Sequence, residues 1–208
     1  MSILRKFVNV LKRFSRRLYF GAVLEYIITF FLVAKTRVLF IHIPKCAGIS
    51  ISHALYGISI GHKKLSYFRV HIQRLHPDIL VVLRDPIERL VSALNYAFSS
   101  GTQDGFFNQE ILKKIKNKNL DEIISMIEDQ LIIDPVFLPQ TYYLDKKYES
   151  IKFYLYEDLA RLEKDFKIQI PKKNQTKSKF FSRKDLDAFS TRIFEIYKED
   201  YRLIENVK

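Results

Sequence analysis

A single cysteine, Cys46, occurs among 208 residues, so no disulfide can form within the chain and a reducing compartment is the natural expectation. Glycine and proline, six of each, are too scarce for extended low-complexity linkers, and no internal repeat is present. From Met1 to Arg17 there is no acidic residue at all, whereas six Lys and Arg residues occur there. No clear metal-ligand cluster is found either. Against these absences stand a hydrophobic fraction of 48% and an aromatic fraction of 14%, enough to pack the core of one ordinary domain. The net charge of +12 favours polyanionic partners: nucleotides, acidic or sulfated polysaccharide, nucleic acid, or an anionic membrane face.

At the start of the chain Ile3, Phe7, Val10, Phe14 and Leu18 recur at helical spacing, flanked by Arg5, Lys6, Lys12, Arg13, Arg16 and Arg17. The run LYFGAVLEYIITFFLVA at 18–34 is barely long enough to span a bilayer, and Glu25 would place a costly carboxylate within it. Lys35 and Arg37 follow in place of a small-residue cleavage site, which argues against a secretory signal. Two readings stay open. One is a basic amphipathic helix on an anionic membrane surface; the other is one or two helices packed on the domain, with Glu25 exposed or paired. Residues 1–37 are thus set apart as a basic, amphipathic N-terminal helical segment from the domain at 38–208.

Within that domain VLFIHI at 38–43 reads as a parallel strand covered on both faces, followed by PKCAGIS and a helix to Tyr56. ILVV at 79–82 is a second such run, ending in LRDP. Asp85, Pro86 and Glu88 then read as N-cap, first residue and third residue of a helix to Phe98. Helices are expected at 107–117 and 120–131, a loop at 135–140, a strand at 152–156 and a helix over EDLARLEKDF. A basic loop at 171–179 precedes one amphipathic helix from Asp185 to Ile204. Strands alternating with helices give an α/β layered domain with a mostly parallel sheet, whose ligands sit beyond the carboxyl ends of the strands.

Two loops fall at that edge. In Pro44-Lys45-Cys46-Ala47-Gly48-Ile49-Ser50 a turn of small residues opens a helix, where backbone N–H groups and the helix dipole favour an anion. Lys45 adds a full charge and Ser50 a hydroxyl. This is not the nucleotide motif G-x-x-x-x-G-K-S/T, because Lys45 precedes Gly48. In Arg84-Asp85-Pro86-Ile87-Glu88-Arg89-Leu90-Val91-Ser92, an Arg at a strand end and a Ser on the next helix can hold a phosphate from two directions. Each loop alone also fits an ordinary turn, with Arg89 paired to a surface acid and Ser92 packed.

Taken together and in this order, FIHIPKCAGISI and LVVLRDPIERLVSALNY resemble the 5′-phosphosulfate loop and the 3′-phosphate motif of the carbohydrate sulfotransferases. That membrane-associated family includes the heparan and uronyl 2-O-sulfotransferases. The similarity continues through FLPQTYYLD and KFYLYEDL to IYKEDYRLI, and so spans residues 38–204. The resemblance implies a P-loop-NTPase-like three-layer domain with a central, mostly parallel sheet. It implies sulfuryl transfer from 3′-phosphoadenosine 5′-phosphosulfate to a hydroxyl of an oligosaccharide, polysaccharide or glycolipid, without a metal. By position, Lys45, Cys46, Ala47, Gly48, Ile49 and Ser50 would cradle the 5′-phosphosulfate, and Arg84 and Ser92 the 3′-phosphate. Ile49 stands where the family usually has Thr or Ser, so one hydroxyl contact is lost.

His62, in GHKKLSYF, resembles the family's Gly-His segment that supplies the catalytic base, with His71 and His76 in reserve and Glu88 as a carboxylate alternative. Lys45 is the expected catalytic cation, neutralising charge on the leaving oxygen. His42 and His53 read as packing or surface residues, Gln140 as a residue orienting donor or acceptor. Lys177, in the basic loop, is a further donor contact implied by the resemblance. The short, disulfide-free chain suits a cytoplasmic enzyme, peripheral at the inner membrane face. Competing expectations are a P-loop kinase, which needs ATP and Mg²⁺, and a non-catalytic basic module that binds membrane or nucleic acid.

Overall fold

Three short apolar runs build a parallel sheet in the computed structural model, which describes residues 21–68, 72–99, 109–145, 151–171 and 180–208. Strands β1 (Val38–Ile41), β2 (Asp78–Leu83) and β3 (Ile151–Leu155) lie in the order β1-β2-β3. β1 and the last five residues of β2 are buried throughout, as a strand covered on both faces requires. The register sets Ile41 beside Val81 and Leu83 beside Leu155. The chain therefore leaves all three strands at the same edge, which brings the 43–48 turn, Arg84 and Tyr156 together.

Nine helices are described: α1 (Gly21–Thr36), α2 (Gly48–Tyr56), α3 (Pro86–Ser99), α4 (Gln109–Lys116), α5 (Leu120–Glu128), α6 (Leu159–Phe166), α7 (Arg183–Asp187), α8 (Ser190–Ile196) and α9 (Lys198–Glu205). One core surrounds the sheet and takes Val33 of α1, Ile51 of α2, Leu162 of α6 and Ile204 of α9. A second core is helical, built from Leu90 and Leu94 of α3, Ile115, Ile123, Ile124, Leu186 and Ile193. The α/β class expected from alternating strands and helices is the class observed.

Three local expectations differ. The single helix over 185–204 is broken into α7, α8 and α9. Tyr197, at φ −111° and ψ 25°, leaves helical geometry where its buried hydroxyl donates to the Phe137 carbonyl at 2.8 Å. The helix from Leu120 stops at Glu128, ahead of a left-handed Gln130 (φ 55°), and starts with a capping box between Asn119 and Glu122. EDLARLEKDF begins as a 3₁₀ turn at Tyr156–Asp158, and the α-helix starts only at Leu159.

Helix α1 packs on the domain through fully buried Val33, and Glu25 pairs with Lys63 at 3.4 Å. Ile27 and Phe31, one turn apart, remain exposed. No helix among the described residues is long and apolar enough to cross a membrane.

The outer edge of β1 has no neighbouring strand among the described residues. Tyr56, the last residue of α2, occupies it instead: its hydroxyl accepts from Phe40 N and donates to the Val38 carbonyl, both at 2.9 Å. Tyr56→Phe should leave those two buried groups unpaired and cost about 1–3 kcal/mol, read as a lower urea midpoint at unchanged m-value.

Candidate functional site

The turn after β1 is held in a strained shape. Lys45 and Ala47 both have left-handed backbones, with φ of 67° and 57°, while Cys46 between them does not. Each left-handed non-glycine residue costs about 1–3 kcal/mol and persists only where the surroundings enforce it. Alternation of this kind turns successive N–H groups toward one concavity, an anion-binding arrangement. Ala47 is the N-cap of α2 and supplies no side-chain hydrogen bond, so the start of that helix has no internal cap.

Lys45 is half-buried, its ammonium 4.2 Å from the centre of the Tyr96 ring. Burial, reinforced by the charge of Arg84, lowers its pKa from the ordinary lysine value to about 8. No carboxylate among the described residues pairs with it. Arg84 donates from Nη1 to the Lys45 carbonyl at 3.2 Å and stacks 4.3 Å above the Tyr156 ring. Its Nε–H is buried with no acceptor among the described residues. Two cations thus meet at the carboxyl edge of the sheet, and part of their hydrogen-bonding capacity is unspent.

One buried amide joins the two loops. Gln140 Oε1 accepts from Arg84 N at 2.9 Å and from the Cys46 thiol at 3.4 Å, while Nε2 donates to the Arg84 carbonyl at 2.8 Å. Gln140 is itself fixed by Asp200, whose buried carboxylate accepts from Gln140 N at 2.8 Å and from Thr141 N at 2.9 Å. Gln140 is fully buried, so it braces the site rather than orienting a donor or acceptor.

Several anticipated residues have different roles from those read in the sequence. The Cys46 side chain faces inward onto Gln140, leaving only its backbone for an anion. Gly48 is required by His42: a Cβ there would run into the His42 imidazole. Ser50 is buried, and Ile49 sits at the surface. Arg89 is almost fully buried and meets no surface acid; it donates to the carbonyls of Val136 and Leu138 and lies over the Tyr197 ring. Asp85 caps α3 by accepting from Glu88 N at 3.0 Å, as the sequence suggests. The Glu88 carboxylate is engaged by Arg84 and Arg183, at 3.8 and 3.5 Å, which disfavours it as a base.

Half-buried Ser92 lies one turn beyond Glu88 on the same face of α3. One further turn along that face, Asn95 pins the chain at 180–181, accepting from Phe180 N and Phe181 N and donating to the Phe181 carbonyl. Lys177 lies outside the described residues, as do His71 and the basic residues of 1–17.

His62 lines a cavity of about 390 Å³ together with Lys64, Ser66, Tyr67, Tyr142 and Tyr143. Its Nδ1 is 2.8 Å from the His42 carbonyl. A carbonyl only accepts, so Nδ1 carries the proton and Nε2 keeps a free lone pair. The ring is open to solvent on one side, yet the protein packed around it lowers its pKa; Lys45 adds to this, whereas the His42 carbonyl, Asp134 and Glu25 oppose it. His76 precedes β2 at the opposite edge of the sheet and is removed from this chemistry. His53 is half-buried on α2.

Glu25, His42, Asn95, Tyr96 and Asp200 were not marked by the sequence as parts of this site. No protein-family model, curated protein or solved structure matches the chain.

Burial raises the Cys46 thiol pKa to about 12. At pH 8 the thiol is therefore protonated, and iodoacetamide should label the native protein at least ~100-fold more slowly than the urea-unfolded chain.

Proposed function

We propose that this chain is a sulfotransferase that moves the sulfuryl group of 3′-phosphoadenosine 5′-phosphosulfate onto a hydroxyl, with a carbohydrate as acceptor. The observation that carries the proposal is the joining of two cationic loops by Gln140 at the carboxyl edge of a parallel sheet. The unsatisfied Nε–H of Arg84, the unpaired Lys45 and the uncapped start of α2 suit a ligand with two separated anionic groups. The parallel α/β sheet is compatible with a P-loop-like three-layer architecture, which forms part of the proposal.

In this mechanism the backbone of residues 45–48 and Lys45 hold the 5′-phosphosulfate, while Arg84 and Ser92 hold the 3′-phosphate. The acceptor hydroxyl enters the tyrosine-lined cavity beside His62. Its oxygen attacks sulfur as its proton passes to His62 Nε2. The bond from sulfur to the 5′-phosphate oxygen breaks, and the electron pair leaves with that oxygen beside Lys45, in the manner of an in-line phosphoryl displacement. The products are a sulfate ester, adenosine 3′,5′-bisphosphate and a proton. Without a hydroxyl at Ile49, donor binding rests more on Lys45 and backbone N–H groups. The exposed Ile27 and Phe31 on α1 suit a peripheral position on a membrane, at the cytoplasmic face.

A kinase reading is weaker, because Lys45 precedes Gly48 rather than following a second glycine. Titration calorimetry separates the two. Adenosine 3′,5′-bisphosphate should bind without Mg²⁺ and more tightly than ATP–Mg²⁺; preference for ATP–Mg²⁺ would end the proposal. Bound phosphate should restore Lys45 toward its ordinary pKa. Bisphosphate affinity should therefore fall ~10-fold or more from about pH 8 to pH 10, a dependence that Lys45→Met removes along with most of the affinity. Radiolabel transfer from the donor to a panel of polysaccharides and glycolipids identifies the acceptor. His62→Ala should lower that transfer ~100-fold or more with bisphosphate affinity changed less than ~3-fold.

A further inference from the structure

His42 was expected to pack or to face solvent, yet one ring and one carbonyl of this residue touch both halves of the site. The residue is buried, just past the end of β1. Its Nδ1 donates to the Ile60 carbonyl at 2.8 Å, so the chain leading into His62 hangs on that bond. Its own carbonyl accepts from His62 Nδ1 at 2.8 Å and fixes the tautomer of that ring. The two segments are cross-braced: each imidazole donates to a carbonyl of the opposite segment.

Packing completes the linkage. The imidazole lies between Phe40, at 5.8 Å and nearly parallel, and His62, whose ring centre is 4.0 Å away. The Cδ2–Nε2 edge occupies the space that a Cβ on Gly48 would take, so the ring rests on the first residue of α2. Burial lowers its pKa to about 3, so the ring is neutral at pH 7. In the base segment, Gly61 is pressed against the Glu25 carboxylate in the same close manner. The segment from Ile60 to His62 is thus held both by His42 and by Glu25 of α1.

We infer that His42 is a positioning residue that couples the nucleotide turn at Gly48 to the proton acceptor His62, so that an anion settling on the turn also sets the base. The inference rests on the sulfuryl-transfer reading for its chemistry, but the linkage between turn and base does not. A ring that served only as core filler would need neither the bond to Ile60 nor the close seat on Gly48.

The probe reaction is donor hydrolysis. Water attacks sulfur and gives its proton to His62 Nε2, the bond to the 5′-phosphate oxygen breaks, and sulfate and adenosine 3′,5′-bisphosphate form. His42→Phe keeps the ring and removes the N–H. It should lower kcat for hydrolysis ~10-fold, with donor KM and bisphosphate Kd changed less than ~3-fold. The titratable groups around His62 are Lys45 from the turn, Asp134 from the 131–137 loop, Glu25 from α1, and Lys63, Lys64, Tyr67, Tyr142 and Tyr143 of the shared cavity. All persist in the variant, so the acid limb of the pH–rate profile should move upward as the base segment loosens and crowding is relieved. His42→Asn, whose amide can reach the Ile60 carbonyl, should recover part of kcat.

Unchanged kcat and an unmoved acid limb in His42→Phe would remove the role of His42 while leaving the enzyme class intact. Failure of the wild-type protein to bind bisphosphate would instead overturn the sulfotransferase reading. Imidazole ¹⁵N spectra of the wild-type protein test the linkage without any variant. Both rings should be Nδ1–H tautomers, and adenosine 3′,5′-bisphosphate or inorganic phosphate should shift the signals of His42 and His62 together. An Nε2–H tautomer at His62, or a ligand-bound spectrum with His42 unmoved, overturns the inference.

Discussion

The geometry of the candidate site depends on a single buried amide. Gln140 bonds both backbone groups of Arg84 and the Cys46 thiol, so the end of β2 and the turn after β1 cannot separate without leaving buried polar atoms unpaired. That amide would wander without Asp200, and Asp200 reaches it only because the helix breaks at Tyr197 and restarts as α9. Arg89 and Tyr197 then hold the 136–138 stretch by its carbonyls, delivering Gln140 to its place. These buried polar groups lie where the sheet core and the helical core meet. Hydrophobic packing builds each core, and directional hydrogen bonds fix one against the other.

Electrostatics explains why such bracing is needed. Lys45 and Arg84 are like charges brought close in a partly buried place, and the depressed pKa of Lys45 records the cost. The left-handed residues at 45 and 47 add backbone strain. A free loop would relax both; this one is held by its thiol, its neighbouring strand and the imidazole beneath Gly48. Backbone strain and a lysine with no carboxylate partner among the described residues, set beside Arg84, describe a place prepared for an anion, at the expense of fold stability.

What could be read from the sequence was what is local. Continuous apolar runs mark β1 and β2, and each flows into a turn and a helix whose start is written in adjacent residues, as in Asp85-Pro86. Lys45 and Arg84 could be found because they sit next to those runs. The bracing was hidden because it pairs distant positions: 46 with 140, 140 with 200, and 42 with 60. No periodicity relates such positions, and a buried glutamine looks in sequence like an exposed one. The break at Tyr197 was missed for the same reason, since the apolar spacing of 185–204 fits one helix and only the tertiary bond to Phe137 interrupts it. In sequence His42 falls within the apolar run 38–43 and reads as a packing or surface residue; its contacts with Ile60, His62 and Gly48 exist only in three dimensions.

The contact between α1 and the Gly61 segment carries a practical lesson about where this domain begins. Judged by charge and hydropathy alone, the chain ahead of Val38 looks like a detachable handle, and trimming it would be the usual first step toward a better-behaved protein. Glu25, however, lies against Gly61 in the loop bearing His62 and pairs with Lys63 beside it. A shortened chain starting at the first strand would keep both cationic loops and their amide brace, yet lose the Glu25 contacts with the segment that carries its histidine. Under the proposed sulfuryl-transfer reading, such a chain would keep its affinity for the nucleotide while turnover falls, a deficit easily mistaken for a missing acceptor.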